Sequence, residues 1–400
     1  MTTRSSNLDD EYTALAEDRA TDQAGDQAED QAGDAEQGGQ EERARAGREA
    51  AEAREAQRLE AVEAFPYVAL VAHSSGIHPS TSRLISLDVL TFNDEGEVGE
   101  SQHMVINPGP DADPGPVHQH GLTHEEVAEG RRFSQVLKTL DRFIDDRTLV
   151  VHNAARTWGF VVSEARRAMN AAARANRSRG RGRGRGRRRQ RVGHVPRPVQ
   201  IVDTLVSARR QGVPLDDTRL AAVAGHFGIE AASPKASVAR ANHPAADVAR
   251  ESTLLLRELY LAERAAGEMA ARSPQDLRAD RFGLQRSHVR VDAVEAPRPY
   301  PNPGRHEPGK NLIRGMEIVV APEIEMDPND VIAAAVREGL VYSEKLTRET
   351  SLVVCNRTPG DPTLDGKGMH AHRKGIPLMA DTAFMDAVER VKDNPEQRKS

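Results

Sequence analysis

The sequence predicts an α/β protein with a mixed sheet, followed by a smaller parallel β-α unit. Three observations support this class. Apolar runs with the period of a strand come first, strands and helices then alternate, and a proline-rich segment at residues 269–310 divides the chain. A length of 400 residues also allows two folded units, given roughly 100–200 residues per domain.

The N-terminal residues 1–64 are predicted to lie outside any core. Their repeated Asp-Gln-Ala-Gly segment holds no apolar residue larger than alanine, so it cannot offset the entropy of ordering. Residues 41–64 are rich in Ala, Glu and Arg, with acid and base at helical spacing in pairs such as Glu55 and Arg58. We therefore expect a disordered acidic tail and then a solvated helix.

Composition and charge restrict the class of protein. Hydrophobic residues make up 38% of the chain and aromatic residues 4%, and the net charge of −6 hides an acidic N-terminus and a basic internal tract. The single cysteine, Cys355, excludes an internal disulfide and fits a reducing cytosol. No run reaches the roughly 18–20 apolar residues that span a bilayer. We expect a soluble cytoplasmic protein without membrane contact.

The first folded region is predicted at residues 65–268. An apolar run at 67–71, an alternating run at 83–92 and a returning strand at 101–106 predict a three-strand meander. The next predicted elements are helices 123–129 and 133–144, strand 148–151, helix 158–175, strand 199–202 and helices 203–211, 220–227 and 245–265.

The second folded region is predicted at residues 311–394, after a linker at 269–310 whose proline content favours a flexible tether. Its predicted elements are strand 317–321, helix 329–338, strand 351–355, helix 368–374, strand 376–379 and helix 381–391. Because crossovers between parallel strands are right-handed and carry helices, this order predicts a parallel sheet.

Short motifs follow one another through residues 66–262. They are Val68–Gly76, Asn107–Gly109, His120–Thr123, His152–Ala154, Asp203–Leu205 and Phe227–Ile229. In order and spacing they resemble DEDD-type 3′–5′ exonucleases, of the kind of the DNA polymerase III epsilon subunit. The resemblance implies a ribonuclease H-like fold and phosphodiester hydrolysis by two Mg²⁺ or Mn²⁺ ions, which four carboxylates hold beside a histidine base.

Most positions that the resemblance assigns to the metal site carry other residues. The degenerate positions are Ala72, Ser74, Thr157 and Asn242. Asp247 retains one carboxylate, and His243 lies one residue from the expected position of the base. Two dications need several oxygen ligands, so we expect that no metal or other cofactor is held and that hydrolysis is lost. The alternative is an active exonuclease that uses Mg²⁺ or Mn²⁺.

Other side chains are poor substitutes for the missing ligands. His73 would face the opposite side of the sheet from its two neighbours if the strand continues. Asp88 is a lone acid on another strand and is expected to be solvated. The three histidines between residues 118 and 124 lack the cysteine or carboxylate partners of a zinc site.

Residues 311–394 carry a second set of motifs. They are Leu312–Met316, Gly339, Thr350–Cys355 and Gly375–Pro377. These resemble a BRCT domain, which implies docking to a protein partner. Ala321 and Pro322 stand where phosphate-binding members have Ser or Thr and Gly, so phosphopeptide capture is not expected, although Lys367 and Lys374 could face an anion.

An Arg-Gly tract at residues 176–191 interrupts the first region. Its arginines are Arg177, Arg179, Arg181, Arg183, Arg185, Arg187, Arg188, Arg189 and Arg191. Guanidinium groups pair with phosphate in a bidentate manner and stack on bases, so the tract predicts non-specific binding of DNA or RNA. Docking onto the acidic residues 1–40 is the alternative.

The predicted function is that of a catalytically degenerate 3′–5′ exonuclease-fold protein, which binds nucleic acid or partners in DNA replication and repair. The first alternative is an active exonuclease of the epsilon-subunit type. The second is a protein-docking scaffold without nucleic-acid contact.

Overall fold

The computed structural model describes residues 45–110, 112–115, 117–180, 191–233 and 243–394. By its contacts the chain divides into two units, Met1–Glu63 and Ala64–Ser400. The described part of the first unit belongs to helix α1 (residues 45–64), in which Arg58 Nη2 lies 2.7 Å from Glu55 Oε1. Most of its described residues are exposed. The predicted acidic tail lies outside the described residues.

Six strands form the first sheet of the second unit. They are β1 (Tyr67–Ser74), β2 (Leu84–Phe92), β3 (Val98–Val105), β4 (Thr148–Val151), β5 (Gln200–Asp203) and β6 (Ala271–Arg272), in the spatial order β3-β2-β1-β4-β5-β6. The first three form an antiparallel meander, and β4 and β5 continue the sheet parallel to β1. The mixed sheet confirms the predicted α/β class. The short edge strand β6, antiparallel to β5, was not predicted.

Helices cover both faces of this sheet. They are α2 (Val117–His120), α3 (His124–Glu129), α4 (Phe133–Ile144), α5 (Ala154–Gly180), α6 (Thr204–Arg210), α7 (Leu220–His226) and α8 (Ala245–Ala266). Because side chains alternate along a strand, Val68 and Leu70 of β1 pack with α4 and α5, whereas Ala69 packs with α8. Strand β2 lies between the two cores, so all nine of its residues are buried.

The second sheet is parallel throughout, as the sequence predicts. Its strands are β7 (Glu317–Val320), β8 (Val341–Tyr342), β9 (Thr350–Val354) and β10 (Leu378–Met379), in the order β10-β9-β7-β8. The helices are α10 (Pro328–Arg337), α11 (Gly366–Arg373) and α12 (Asp381–Val388). Strand β8 was not predicted, because two residues are too short to show a periodic pattern.

The segment between the two sheets contributes side chains to both cores. It contains helix α9 (His288–Glu295), which the proline-rich composition does not indicate. Leu277 packs in the core of the first sheet, and Leu284 packs in the core of the second. The sequence led us to expect a tether here, and its protease sensitivity stays a prediction. Among the described residues, no helix combines the length and the apolar character that a membrane crossing requires.

Candidate functional site

A cavity of about 1190 Å³ opens where strands β1 and β4 end. The carboxyl ends of parallel strands meet at one edge of a sheet, and the turns that follow them are free to line a crevice. Ala72 and His73 line it from β1, Arg156 and Thr157 from the start of α5, and His243 from the residues before α8. We call this cavity the groove. It therefore gathers residues from the three segments in which the resemblance places metal ligands, which we call the first motif (residues 68–76), the second motif (152–157) and the third motif (242–247).

The first motif offers the groove no carboxylate. Ala72 contributes a methyl group, and the register of β1 shifts between His73 and Ser74. Ser74 is buried, and its hydroxyl donates to the carbonyl of Gly76 at 2.8 Å. His73 lines the groove together with Ala72, and its Nδ1 lies 3.0 Å from Ser86 Oγ. The alternation expected for His73 therefore does not keep it out of the groove.

The second motif is held in place by Asp203. One oxygen of its carboxylate accepts the backbone N–H of Asn153 at 3.1 Å, and the other accepts that of Ala154 at 2.7 Å. The same carboxylate accepts the N–H groups of Leu205 and Val206, which cap helix α6. Asn153 takes a positive φ of 65°, a conformation that asparagine tolerates. Asp203 thus fixes where α5 begins.

This early start of α5 places Thr157 and Arg156 on the groove. The helix begins four residues before the predicted position, at Ala154. The hydroxyl of Thr157 donates to the carbonyl of His152 at 3.3 Å, so it serves the helix start. His152 is held between Thr204 Oγ1 and the carbonyl of Thr218, both at 2.8 Å, and burial lowers its pKa. A neutral imidazole ring with a hydrogen bond at each nitrogen has a structural role.

The third motif does not bring its carboxylate to the groove. Asp247 is exposed in the first turn of α8 and is not among the residues that line the groove, whereas the exposed His243 is. Asn242 lies outside the described residues. The groove thus unites Ala72, Thr157 and His243 but not the surviving acid.

These residues do not fit two divalent ions. In the described part of the chain, no three His, Cys, Asp or Glu ligand atoms converge at the groove, whereas hard dications need several oxygen ligands. The Arg156 guanidinium also faces this space, and its Nη2 donates to Ser74 Oγ at 3.4 Å. A fixed positive charge beside a position that would bind a metal opposes cation binding.

Two charged residues that line the groove were not predicted as site residues from the sequence. Asp327, from the loop before α10, accepts a hydrogen bond from Asn153 Nδ2 at 2.8 Å and lines the groove. Burial lowers the pKa of the Arg156 guanidinium, and the charge of Asp327 opposes that change. Arg156 precedes the motif residue Thr157, and this position is a sequence signal for a place at the site. No local pattern links Asp327 to the groove.

Two other expectations concern polar residues near the groove. The prediction that Asp88 is solvated is wrong, because Arg250 Nη2 at 3.0 Å and His103 Nδ1 at 3.4 Å compensate its buried carboxylate. His120 is buried, with Nδ1 accepting the N–H of Leu122 and Nε2 facing the carbonyl of Pro114, each at 3.1 Å. The backbone therefore holds this ring.

A separate polar cluster lies at the base of the Arg-Gly tract. His194 Nε2 lies 2.8 Å from Asp145 Oδ2, and its Nδ1 lies 3.3 Å from Asp141 Oδ2. Burial raises the pKa of Asp141 to about 6, although His194 acts against this. Arg177 and Arg191 at the two ends of the tract are exposed. The arginines from Arg181 to Arg189 lie outside the described residues, and Arg179 belongs to α5.

Part of the first folded region is similar to a known protein family. The exonuclease family matches residues 75–180. No curated protein matches the chain. Similar solved structures include one that describes 3′-end specific recognition of the histone mRNA stem-loop by a 3′-exonuclease. It has 10% identity over 53% of this chain and 92% of that chain, with a TM-score of 0.37.

Two further structures have comparable similarity. Exonuclease I of E. coli in complex with a dT13 oligonucleotide has 15% identity over 49% of this chain and 40% of that chain, with a TM-score of 0.33. Pop2p of S. pombe, in its Mg²⁺- and Mn²⁺-bound form, has 11% identity over 51% of this chain and 84% of that chain, with a TM-score of 0.34. The present chain thus spans under half the length of exonuclease I. The similarity to the exonuclease family at residues 75–180 lies within the region of the mixed α/β sheet.

Proposed function

We propose that this chain is a catalytically degenerate 3′–5′ exonuclease-fold protein that binds nucleic acid. The observation that carries the proposal is the set of side chains at three positions where the resemblance places metal carboxylates. Ala72, Ser74 and Thr157 offer a methyl group and two hydroxyls, both of which donate to backbone carbonyls. Two-metal hydrolysis stabilises attacking and leaving oxygens through ions held by carboxylates, so this set cannot support it.

Binding of nucleic acid is supported by two features. The match to the exonuclease family at residues 75–180 supports contact with nucleic acid, and the nine arginines of residues 177–191 supply a dense run of positive charge. Arginine side chains displace condensed counterions from phosphates without reading the sequence. We therefore assign non-specific contact with DNA or RNA to the tract, and end recognition to the groove.

The region of the second sheet, residues 311–394, is proposed to be a docking module for a protein partner in DNA replication or repair. Its parallel sheet of four strands with three helices agrees with the resemblance to BRCT domains, and the motifs of that resemblance remain its basis. Its cysteine, Cys355, is buried and free, which fits the proposed cytoplasmic location.

A nuclease assay tests the loss of hydrolysis. The purified full chain is incubated with 5′-labelled single-stranded DNA and RNA in Mg²⁺, in Mn²⁺ and in EDTA. We expect no shortening above the EDTA blank, and the same result for Asp247→Ala. Metal-dependent shortening that Asp247→Ala abolishes would establish the active exonuclease instead.

Restoring the ligands gives the complementary test. Ala72→Asp, Ser74→Glu and Thr157→Asp together, with Arg156→Gln to remove the opposing charge, should introduce Mn²⁺ binding in calorimetric titration. Single restorations should do little, because metal ligands act as a set. Circular dichroism confirms that each variant is folded. Tight Mn²⁺ binding at the groove by the parent chain would contradict the proposal.

A further inference from the structure

We infer that Arg156 is the centre of a metal-independent phosphate site in the groove, which binds the terminal phosphate of a nucleotide or of a nucleic-acid strand. The inference rests on the proposed function, because it assigns a ligand class to the same groove. It goes further by naming one residue that takes over phosphate binding from the missing ions.

The contacts of Arg156 leave most of its donors without a partner among the described residues. Its Nη2 reaches Ser74 Oγ at 3.4 Å, near the upper limit for a hydrogen bond. No described carboxylate forms an ion pair with it. A guanidinium carries five N–H donors in a planar fork, which matches two oxygens of a phosphate group. Because Arg156 lines the groove, these donors face a space large enough for a nucleotide.

Asp327, whose charge acts on Arg156, does not form an ion pair with it. Asp327 accepts from Asn153 Nδ2 with one oxygen and from the N–H of Asn329 with the other, so its carboxylate is committed to the start of α10. A half-buried cation that lacks a paired anion is costly, and a bound anion removes that cost. Arg156 also borders a second cavity of about 50 Å³ beside Asp327, at the junction of the two sheets.

The residues that abolish the metal site make the groove suitable for an anion. Carboxylates at 72, 74 and 157 would repel a phosphate once the metals were absent, whereas Ala72, Ser74 and Thr157 are neutral. The groove does carry other acids, Glu230, Glu251 and Glu258, but none of them pairs with Arg156. Repulsion from these acids would restrict an anion to the Arg156 end of the groove.

Titration of small probes tests the site with ligands that carry at most one phosphate, whereas binding to the Arg-Gly tract depends on contacts with several phosphates. Thymidine 5′-monophosphate, inorganic phosphate and thymidine are titrated into the full chain in EDTA. A 12-residue DNA strand that ends in either a 3′-phosphate or a 3′-hydroxyl separates the two sources of the phosphate. Loss of charge-assisted hydrogen bonds in Arg156→Gln should weaken binding of the monophosphate about tenfold or more, and should remove any preference for the 3′-phosphate strand over the 3′-hydroxyl strand. Thymidine should bind weakly in every case.

Two further variants separate a ligand-binding role from a structural one. Arg166→Gln removes an exposed arginine of the same helix and should change affinity less than about twofold. Asp327→Asn removes the charge nearest Arg156 but keeps a capping side chain, so it should tighten phosphate binding a fewfold. Arg156→Lys, which keeps the positive charge, should recover part of the affinity. Melting temperatures report whether each variant is folded.

Several outcomes would overturn the inference. Equal affinity of parent and Arg156→Gln for every phosphate probe is one, and an affinity for thymidine equal to that for its monophosphate is another. A drop in melting temperature for both Arg156→Gln and Asp327→Asn without any change in affinity would make Arg156 a structural partner of Asp327. If long single strands still bind through the tract in these cases, the proposed function stands and only the phosphate site fails. If no nucleic acid binds at all, both fail.

Discussion

The ammonium group of Lys367 lies 2.6 Å from the carboxylate of Asp280, and the lysine side chain is fully buried. Lys367 lies in the first turn of helix α11, beside the second sheet, whereas Asp280 belongs to the segment between the sheets. The sequence predicted that Lys367 could face an anion, and that anion is a side chain of the same chain. Arg290 of α9, also fully buried, lies 3.2 Å from the same carboxylate.

Removal of the Asp280 charge should destabilise the region of the second sheet. In Asp280→Asn two buried cations lose their shared anion, for which we expect a cost of about 3–5 kcal/mol in the free energy of unfolding. Asp276→Asn, an exposed acid of the same segment, should have little effect. Chemical denaturation measures both. Limited proteolysis should also cut residues 273–310 faster in Asp280→Asn, and equal cleavage of both variants would contradict the role given to this contact.

The Asp280 contact also predicts a loss of stability in acid. Burial raises the pKa of its carboxyl, but Lys367 and Arg290 outweigh burial and hold that pKa below the usual value of 3.8. A carboxyl with a lowered pKa in the folded state stabilises the fold above its unfolded pKa, and this contribution is lost as pH falls through the folded pKa. The difference in stability between parent and Asp280→Asn should therefore shrink below about pH 4.

Asp203 should be essential for the shape of the groove. Its carboxylate accepts four backbone N–H groups, and the amide of Asp203→Asn would turn an N–H group toward some of these donors. We expect a loss of about 2–4 kcal/mol, from the hydrogen bonds lost and the buried donors left unpaired. Asp216→Asn, an exposed acid, is the matched control. Equal unfolding midpoints for the two variants would refute this assignment.

Glu263 should make the stability depend on pH. It is fully buried, neither of its oxygens has a hydrogen-bond partner in the described part of the chain, and burial raises its pKa to about 9, with Asp203 adding to the effect. A raised folded pKa gives stability that is fully present below the unfolded pKa of about 4.5 and is lost as pH rises toward 9.

Glu263→Gln tests this dependence. The variant should match the parent near pH 5 and exceed it by on the order of 3 kcal/mol at pH 8, because glutamine needs no proton to remain neutral. The exposed Glu258→Gln of the same helix should follow the parent at both values. Thermal unfolding across this range provides the measurement. A constant difference between the parent and Glu263→Gln would show that the Glu263 carboxyl is not protonated in the folded chain.

The Arg-Gly tract should supply most of the salt-dependent affinity for nucleic acid. If about five to seven phosphates are contacted, log affinity should fall against log salt with a slope of roughly −4 to −6 for duplex DNA. Replacing the nine arginines by serine should flatten this slope and leave the melting temperature unchanged. Unchanged binding at every salt concentration would place the binding surface elsewhere on the chain.

Much of the fold followed from local sequence patterns. The alternation in residues 83–92 and the apolar runs at 148–151 and 351–355 predicted strands β2, β4 and β9, because a buried strand has a period of two or a short apolar run. Helix α9 was missed because the proline-rich residues 297–303 that follow it favoured a linker, and its buried Arg290 is held by Tyr342 and Asp280 rather than by an apolar face.

The sequence by itself determined the two α/β regions and the absence of carboxylates at positions 72, 74 and 157, because both depend only on which residues occupy which positions. The tertiary structure alone decided that Arg156 reaches Ser74, 82 residues away along the chain, and that Asp247 stays exposed outside the groove. It also decided that Asp280 meets Lys367. Contacts of this kind depend on how helices and loops pack against the sheets, and no local period or motif encodes that packing.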